Sequence, residues 1–205
     1  MKAIKNEAEI SGMIEAHIKD AVAFCDWAAF METQIQVLGV NNWTEISAAK
    51  LLSQYRLEQE NSRGDSFGTI SAYGANGAII HYSATPDTEA TLSTDSLYMV
   101  DSGGQYLEGT TDITRTFHYG EPTEEMRERY TEVLQGSIAL ASLTIPDKTL
   151  DTSVDLATRQ FLFKKGLNYR HGTGHGIGKD QAEFYDCLKP LVLQELIWRC
   201  TRAPP

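Results

Sequence analysis

The chain has 205 residues, a hydrophobic fraction of 41% and a formal net charge of −10, as expected for a globular domain with a sizeable core. The acidic balance argues against nucleic acids and anionic membranes as partners, because both recruit lysine and arginine. No apolar run approaches the roughly 20 residues of a membrane span, and the start lacks the apolar stretch of a secretory signal. The three cysteines lack a CxxC spacing, and we expect a cytoplasmic protein.

Two helices are predicted at the start of the chain. The first covers residues 7–29, with Asn6 as its N-cap and Glu9 completing a capping box. The second covers residues 45–58, with Thr44 as its N-cap. The helical spacing of apolar residues predicts that the first helix turns one side to the core, made of Ile10, Met13, Ile14, Ala21, Phe24, Cys25 and Ala28.

Glycines, threonines and short apolar runs over residues 68–118 predict several β-strands. One strand is predicted over residues 78–82, and another over residues 97–101, before the turn-forming Gly103-Gly104. Residues 111–118 alternate in character, which predicts one face with Asp112, Thr114 and Thr116 and the other with Ile113, Arg115 and Phe117.

Two more helices are predicted, one from Thr123 to about residue 141 and one from about Thr152 to the Lys164-Lys165-Gly166 stop signal. A segment rich in glycine and histidine follows over residues 171–178, where the glycines disfavour a regular helix. Helices on both sides of a strand-rich middle predict an α+β fold.

The last 27 residues differ in texture from the rest of the chain. Glycine is absent after Gly178, and Pro190 precedes a short apolar block that ends at Trp198. We therefore expect a domain over residues 1–178 and a divergent C-terminal tail over residues 179–205, with Trp198 more exposed than a core tryptophan. A docking helix and a stretch outside the fold both remain open for the tail.

Two aspartates lie at predicted strand positions. Asp101 ends one strand and Asp112 lies in the alternating strand, so that the backbone would fix the direction of each carboxylate. Carboxylates fixed in this way suit divalent cations such as Mn²⁺, Mg²⁺ and Zn²⁺. For either residue alone, the turn preference of aspartate is the commoner explanation.

Three histidines are further candidates. His171 and His175 lie four residues apart in the glycine-rich segment, where imidazole could bind a metal ion or simply occupy a surface loop. His81 ends an apolar stretch, where a histidine is more often a satisfied, partly buried residue than a catalyst.

Four sequence blocks in this order are far more specific than any single residue. They are GAIIHY at residues 77–82, DSGGQY at 101–106, GTTDITRT at 109–116 and HGTGHG at 171–176. The combination resembles the Xaa-Pro aminopeptidase (aminopeptidase P) family, one of the pita-bread metallopeptidases, a group that includes methionine aminopeptidase, prolidase and creatinase. The resemblance runs from about residue 2 to residue 178 and implies an incomplete pita-bread (creatinase/aminopeptidase-like) fold.

The resemblance also implies a role for each candidate residue. Asp101 and His175 would each bind one metal ion, Asp112 would bridge two ions, and His81 and His171 would line the substrate site and assist catalysis. The implied cofactor is a pair of divalent ions, usually manganese. The implied reaction removes the N-terminal residue from peptides that have proline at the second position, by means of a metal-activated water.

Two motifs of the family do not occur in the 205 residues. These are a Glu-Pro-Gly-like motif, which supplies one of two further glutamate ligands, and a Val-His-Glu-like motif with another histidine. We therefore expect a catalytic domain truncated at its C-terminal end, with at most one ion held well and no activity alone. The alternative is a metal-free pita-bread module that binds peptides or proteins. Proline-containing peptides are the expected partners, and a homodimer stays open.

Overall fold

A computed structural model describes residues 5–146, 149–178 and 201–202. Its α-helices are α1 (Glu7–Glu32), α2 (Glu45–Leu57), α3 (Glu124–Ala141) and α4 (Asp151–Phe163). Its strands are β1 (Ser62–Asp65), β2 (Ile70–Tyr73), β3 (Leu97–Ser102), β4 (Gly104–Tyr106), β5 (Ile113–His118), β6 (Leu167–Asn168) and β7 (Thr201–Arg202). A π-helical turn (Thr33–Val37) follows α1, and a 3₁₀ helix (Gly74–Ala78) follows β2. The predicted α+β class is confirmed.

Local side-chain hydrogen bonds mark the helix starts that the sequence predicts. The Asn6 side chain accepts a hydrogen bond from the Glu9 amide at 2.9 Å, and the Glu9 carboxylate accepts one from the Asn6 amide at 2.9 Å. Thr44 caps α2 and Thr123 caps α3. Because each cap satisfies amides that the first helical turn leaves unpaired, these positions can be identified from sequence.

The predicted core-facing side of α1 is wrong in most of its residues. The fully buried positions are Ala16, Asp20, Ala23, Trp27 and Met31, whereas Ile10 and Ile14 are 49% and 58% exposed. Of the predicted set, Phe24 and Ala28 pack against the core. The apolar pattern mispredicted the buried side because a contact distant in sequence determines it. Asp20 forms a buried ion pair with Arg56 of α2, with Arg56 Nε and Asp20 Oδ1 2.7 Å apart.

Strand β3 is the centre of an antiparallel sheet with the order β2-β3-β5. Tyr98 and Val100 lie on the face covered by α1 and α2, in a cluster with Trp27 and Leu52. Because side chains alternate along a strand, Asp101 shares the opposite face with Met99. The shorter pairs β1–β4 and β6–β7 are also antiparallel.

The strand predicted over residues 78–82 is wrong. Gly74 takes a left-handed φ of 57°, and the chain then enters the 3₁₀ helix and a turn, in which Ile79 and Ile80 are exposed. Tyr82 turns inward, and its hydroxyl donates to the buried carboxylate of Glu45 at 2.8 Å. This long-range contact holds the segment as a turn despite its apolar composition.

The predicted helices over residues 123–141 and from about 152 are confirmed as α3 and α4. They pack together on one end of the sheet through Leu97, Val133, Leu162, Leu167 and Tyr169. Gly166, with a φ of 69°, ends the turn after α4 and leads into β6.

Among the described residues, no helix combines the length and the apolar character that crossing a membrane would require. The prediction about Trp198 in the tail lies outside the residues that the structure describes.

Candidate metal centre

The two aspartates reach one face of the sheet from neighbouring strands. Asp101 lies in β3 and is 8% exposed, and its Oδ1 accepts a hydrogen bond from Thr114 Oγ1 at 2.9 Å. Thr114 is also the cross-strand neighbour of Asp101. Asp112 directly precedes β5, two residues before Thr114, and so continues the same face as a diagonal neighbour of Asp101. The predicted alternation of this segment is confirmed over β5.

Backbone contacts hold the residue before Asp112 in place. The Thr111 carbonyl accepts from Ser66 Oγ at 2.8 Å, and the Thr111 amide donates to the Gly104 carbonyl at 2.9 Å. A Cβ on Gly103 would lie 1.9 Å from the Thr111 carbonyl oxygen. Only glycine therefore lets the turn after Asp101 approach the segment that carries Asp112.

The electrostatic environment of Asp112 disfavours a bare carboxylate. Burial and the nearby carboxylate of Asp101 raise the pKa of Asp112 to about 6, although His175 acts in the opposite direction. Two adjacent carboxylates in a partly desolvated position repel each other, and a cation between or beside them would relieve both effects.

His175 is the third group at this position. Its Nε2 lies 3.5 Å from Asp112 Oδ2, and its side chain is about half exposed. An Nδ1–H donates to the Gly176 carbonyl oxygen at 2.9 Å, which leaves Nε2 on the side of Asp112. A backbone acceptor on one ring nitrogen is the usual way to orient the other toward a metal.

The other two histidines are placed differently. The His171 ring lies beside the Tyr169 ring, with centroids 4.9 Å apart, and its Nδ1 is 2.7 Å from the Gly172 carbonyl oxygen. His81 is exposed, in a left-handed turn with a φ of 53°. The catalytic roles of His81 and His171 therefore stay predictions.

These three side chains are suitable ligands for a divalent metal ion, but they do not form a complete coordination shell. Over the part of the chain that the structure describes, no group of three or more His, Cys, Asp or Glu side chains is arranged to hold an ion. Asp101, Asp112 and His175 therefore lie near one another, and their donor atoms would have to move closer together to share one ion. Two carboxylates and an imidazole are nevertheless ligands that Mn²⁺ and Zn²⁺ accept.

Several residues that support the site were missed by the sequence analysis. Ser66, Thr111 and Thr114 act through contacts to partners that are distant along the chain, and a lone Ser or Thr carries no signal of such a contact. Asp155 and Arg159 on α4 bind the histidine segment. Their spacing of four residues was a readable signal of an ion pair on a helix.

Comparison with known proteins places these residues in a family. The profile of Metallopeptidase family M24 matches residues 11–195, beyond Gly178, so the domain boundary predicted at that residue stays a prediction. A probable Xaa-Pro aminopeptidase P of Pyricularia oryzae is 48% identical over 177 residues, which is 86% of this chain and 28% of that protein. One of Aspergillus clavatus is 46% identical, over 86% of this chain and 27% of that protein.

Solved structures of proteins with related names superpose well on this chain. X-prolyl aminopeptidase from Caenorhabditis elegans, described as a cytosolic enzyme with a di-nuclear active site, superposes with a TM-score of 0.81 at 34% identity, over 89% of this chain and 30% of that chain. Xaa-Pro dipeptidase from Bacillus anthracis has a TM-score of 0.76 at 27% identity, over 93% and 51%.

These similarities confirm the predicted pita-bread fold for the part that the chain covers. The chain spans little more than a quarter of the length of the curated relatives named above. With the profile match covering most of the 205 residues, the chain belongs to metallopeptidase family M24.

Proposed function

We propose that this chain carries part of the active site of a metalloaminopeptidase that removes the N-terminal residue from peptides with proline at the second position. The observation that carries the proposal is the placement of Asp101 and Asp112 on one sheet face, with His175 Nε2 3.5 Å from Asp112. The specificity for proline rests on the similarity to proteins named as Xaa-Pro aminopeptidases.

Asp101, Asp112 and His175 would hold a divalent cation, and manganese is the ion that we propose. The raised pKa of Asp112 reflects burial first and the charge of Asp101 second, and bound positive charge would offset both. When bound, the metal supplies electrophilic activation of a water and of the scissile carbonyl. The chain's own contribution is to hold Asp101 in the buried strand β3 and Asp112 directly before β5, with His175 brought beside Asp112 by the segment that follows β6.

His171 and His81 would contact the substrate. The His171 carbonyl accepts a hydrogen bond from Arg159 of α4 at 2.9 Å, and the His171 ring lies beside the Tyr169 ring and the Gly172 carbonyl. His81 is exposed in its turn, which makes its ring accessible to a peptide. We propose proline-containing peptides as substrates and the cytoplasm as the location, and a homodimer as the assembly to be tested.

Asp101, Asp112 and His175 alone would be too few ligands for two ions. Two aspartates and one histidine bring two negative charges against four positive ones, and the mutual repulsion of two close cations needs more anionic ligands. We therefore propose that this chain alone binds at most one ion and does not cleave Xaa-Pro peptides.

The experiment compares the purified chain with its Asp112→Ala variant. A proline-containing tripeptide is incubated with each protein and added Mn²⁺, and Mn²⁺ binding is measured separately by calorimetry. We expect Mn²⁺ binding by the parent, loss of binding in Asp112→Ala, and no release of the N-terminal residue above buffer with the same Mn²⁺.

Two other outcomes have clear meanings. Release of the N-terminal residue by the parent but not by the variant would show that the three ligands suffice, and the ligand count would be wrong. Binding of the tripeptide by both proteins without any Mn²⁺ binding would favour the alternative function, a metal-free peptide-binding module.

A further inference from the structure

The segment that carries both histidines has no regular secondary structure to hold it. Residues 169–178 leave β6 as an irregular chain, and Gly174 adopts a φ of 159°. Glycines make such a segment costly to order, because their backbone loses more freedom than that of any other residue. Side-chain contacts from another element must therefore fix the positions of His171 and His175.

Arg159 of α4 supplies several of these contacts. Its Nη1 donates to the Tyr169 carbonyl at 2.7 Å and to the Asn168 side-chain oxygen at 2.9 Å, and its Nη2 donates to the His171 carbonyl at 2.9 Å. The guanidinium carbon lies 3.7 Å from the centroid of the Tyr169 ring. The arginine side chain is 13% exposed, so these contacts are largely shielded from water.

Asp155, one helical turn before Arg159, completes the attachment. Its Oδ2 accepts from Arg159 Nε at 2.5 Å, and its Oδ1 accepts a hydrogen bond from Thr173 Oγ1. The Tyr169 hydroxyl lies 2.6 Å from Thr173 Oγ1 and 2.7 Å from the buried Thr158 Oγ1 of α4. Contacts from one helix thus hold the segment at several residues between 168 and 173.

We propose that Arg159 and Asp155 are positioning residues that hold the histidine segment so that His175 stands beside Asp112. Thr173, which donates a hydrogen bond to Asp155, lies two residues before His175. The Nε2 of His175 is 3.5 Å from Asp112 Oδ2. This inference rests on the proposed metal site, but the attachment of the segment can be tested without metal.

Two substitutions separate the charge of Arg159 from its planar shape. Arg159→Lys keeps a positive charge opposite Asp155, but an ammonium group cannot reproduce the fork that reaches two carbonyls at once. Arg159→Met removes both. Arg129→Met is the matched control, because Arg129 also pairs with acids on its own helix, Glu125 and Glu132 of α3.

The first measurement uses the metal-free chain. Backbone ¹⁵N order parameters for residues 169–175 should be those of a rigid backbone in the parent and in Arg129→Met, and should fall toward 0.6 or below in both Arg159 variants. Unchanged order parameters in Arg159→Met would overturn the proposal. Parent-like values in Arg159→Lys alone would show that charge suffices and would overturn the role of the fork.

The second measurement adds Mn²⁺ alone and follows binding and paramagnetic broadening. We expect both Arg159 variants to bind Mn²⁺ about tenfold more weakly or worse and to lose broadening of the His175 ring signal, while Thr114 beside Asp101 is still broadened. Arg129→Met should behave like the parent in both respects. Affinity within twofold of the parent in both Arg159 variants would overturn the link to the metal. Absence of Mn²⁺ binding by the parent would refute the proposed function, while the order parameters would still decide the attachment.

Discussion

Asp112 lies in an environment unlike that of a surface carboxylate. Its pKa is raised to about 6, first by burial and then by the charge of Asp101. An aspartate in an unfolded chain titrates at about 3.9, so the folded protein binds this proton more tightly than the unfolded one does. Protonation therefore stabilises the fold at low pH, and that stabilisation is lost as the pH rises from about 4 through 6.

Replacing Asp112 with asparagine should remove this charge penalty. In EDTA at about pH 7, we expect Asp112→Asn to be more stable than the parent by up to about 3 kcal/mol, since the pKa of Asp112 is raised by about two units and one pKa unit corresponds to about 1.4 kcal/mol. Near pH 4 the difference should nearly vanish. Urea unfolding at both pH values measures it. Added Mn²⁺ should stabilise the parent and not the variant, whereas a variant less stable than the parent at pH 7 would contradict the account.

Gly103 offers a second test at the scale of one residue. A methyl group there would lie 1.9 Å from the Thr111 carbonyl oxygen and 2.3 Å from Ser66 Oγ. Because backbone atoms cannot yield cheaply, we expect Gly103→Ala to cost about 2 kcal/mol or more in unfolding free energy. Gly68→Ala is the control, since a Cβ at Gly68 meets nothing within 4 Å. Equal stability of the two variants would refute the close approach.

The candidate site could be predicted from sequence only as a set of residues. The blocks around Asp101, Asp112 and His175 were recognisable together, because their order and spacing are specific. The residues that support these ligands were not recognisable. A contact such as that of Ser66 with Thr111 joins residues 45 positions apart and has no local signature in the sequence. The surroundings of His81 were mispredicted because an apolar run was interpreted as a strand.

At the scale of elements, local chemistry predicted where helices begin and end, but not which side they bury. The capping box at Asn6 and the glycine after α4 depend on neighbouring residues. The buried side of α1 depends on Arg56, which lies 36 residues from Asp20. An apolar pattern alone could not reveal that an aspartate would be buried in place of isoleucines.

The outer stripe of α1 is exposed along four aliphatic residues, namely Ile10, Ile14, Ile18 and Val22. Replacing Ile14 and Ile18 with glutamine should change the free energy of unfolding by less than about 0.5 kcal/mol each, as for other surface positions. Ile35→Gln, at a position 4% exposed, should cost several times more. Urea denaturation tests this, and a loss above about 2 kcal/mol in the double variant would show that the stripe is covered in solution.

At the scale of the whole molecule, strand β3 connects the described core to the site. Leu97, Tyr98 and Met99 belong to three separate hydrophobic clusters, and Val100 returns to the cluster beneath α1 and α2. Asp101 follows directly in the same strand. A ligand on a strand packed from both faces is held more precisely than one on a loop, whereas His175 relies on its attachment to α4.

The ligand assignment can be tested directly by electron–nuclear double resonance of bound Mn²⁺ in protein labelled with ¹⁵N-histidine. We predict ¹⁵N coupling from one imidazole in the parent, loss of that coupling in His175→Ala, and its retention in His171→Ala. The physical reason is that His175 Nε2 faces Asp112, while the neighbouring contacts of His171 are to Gly172 and the Tyr169 ring. Bound Mn²⁺ without histidine coupling, or coupling that disappears in His171→Ala and survives in His175→Ala, would contradict the proposed metal centre.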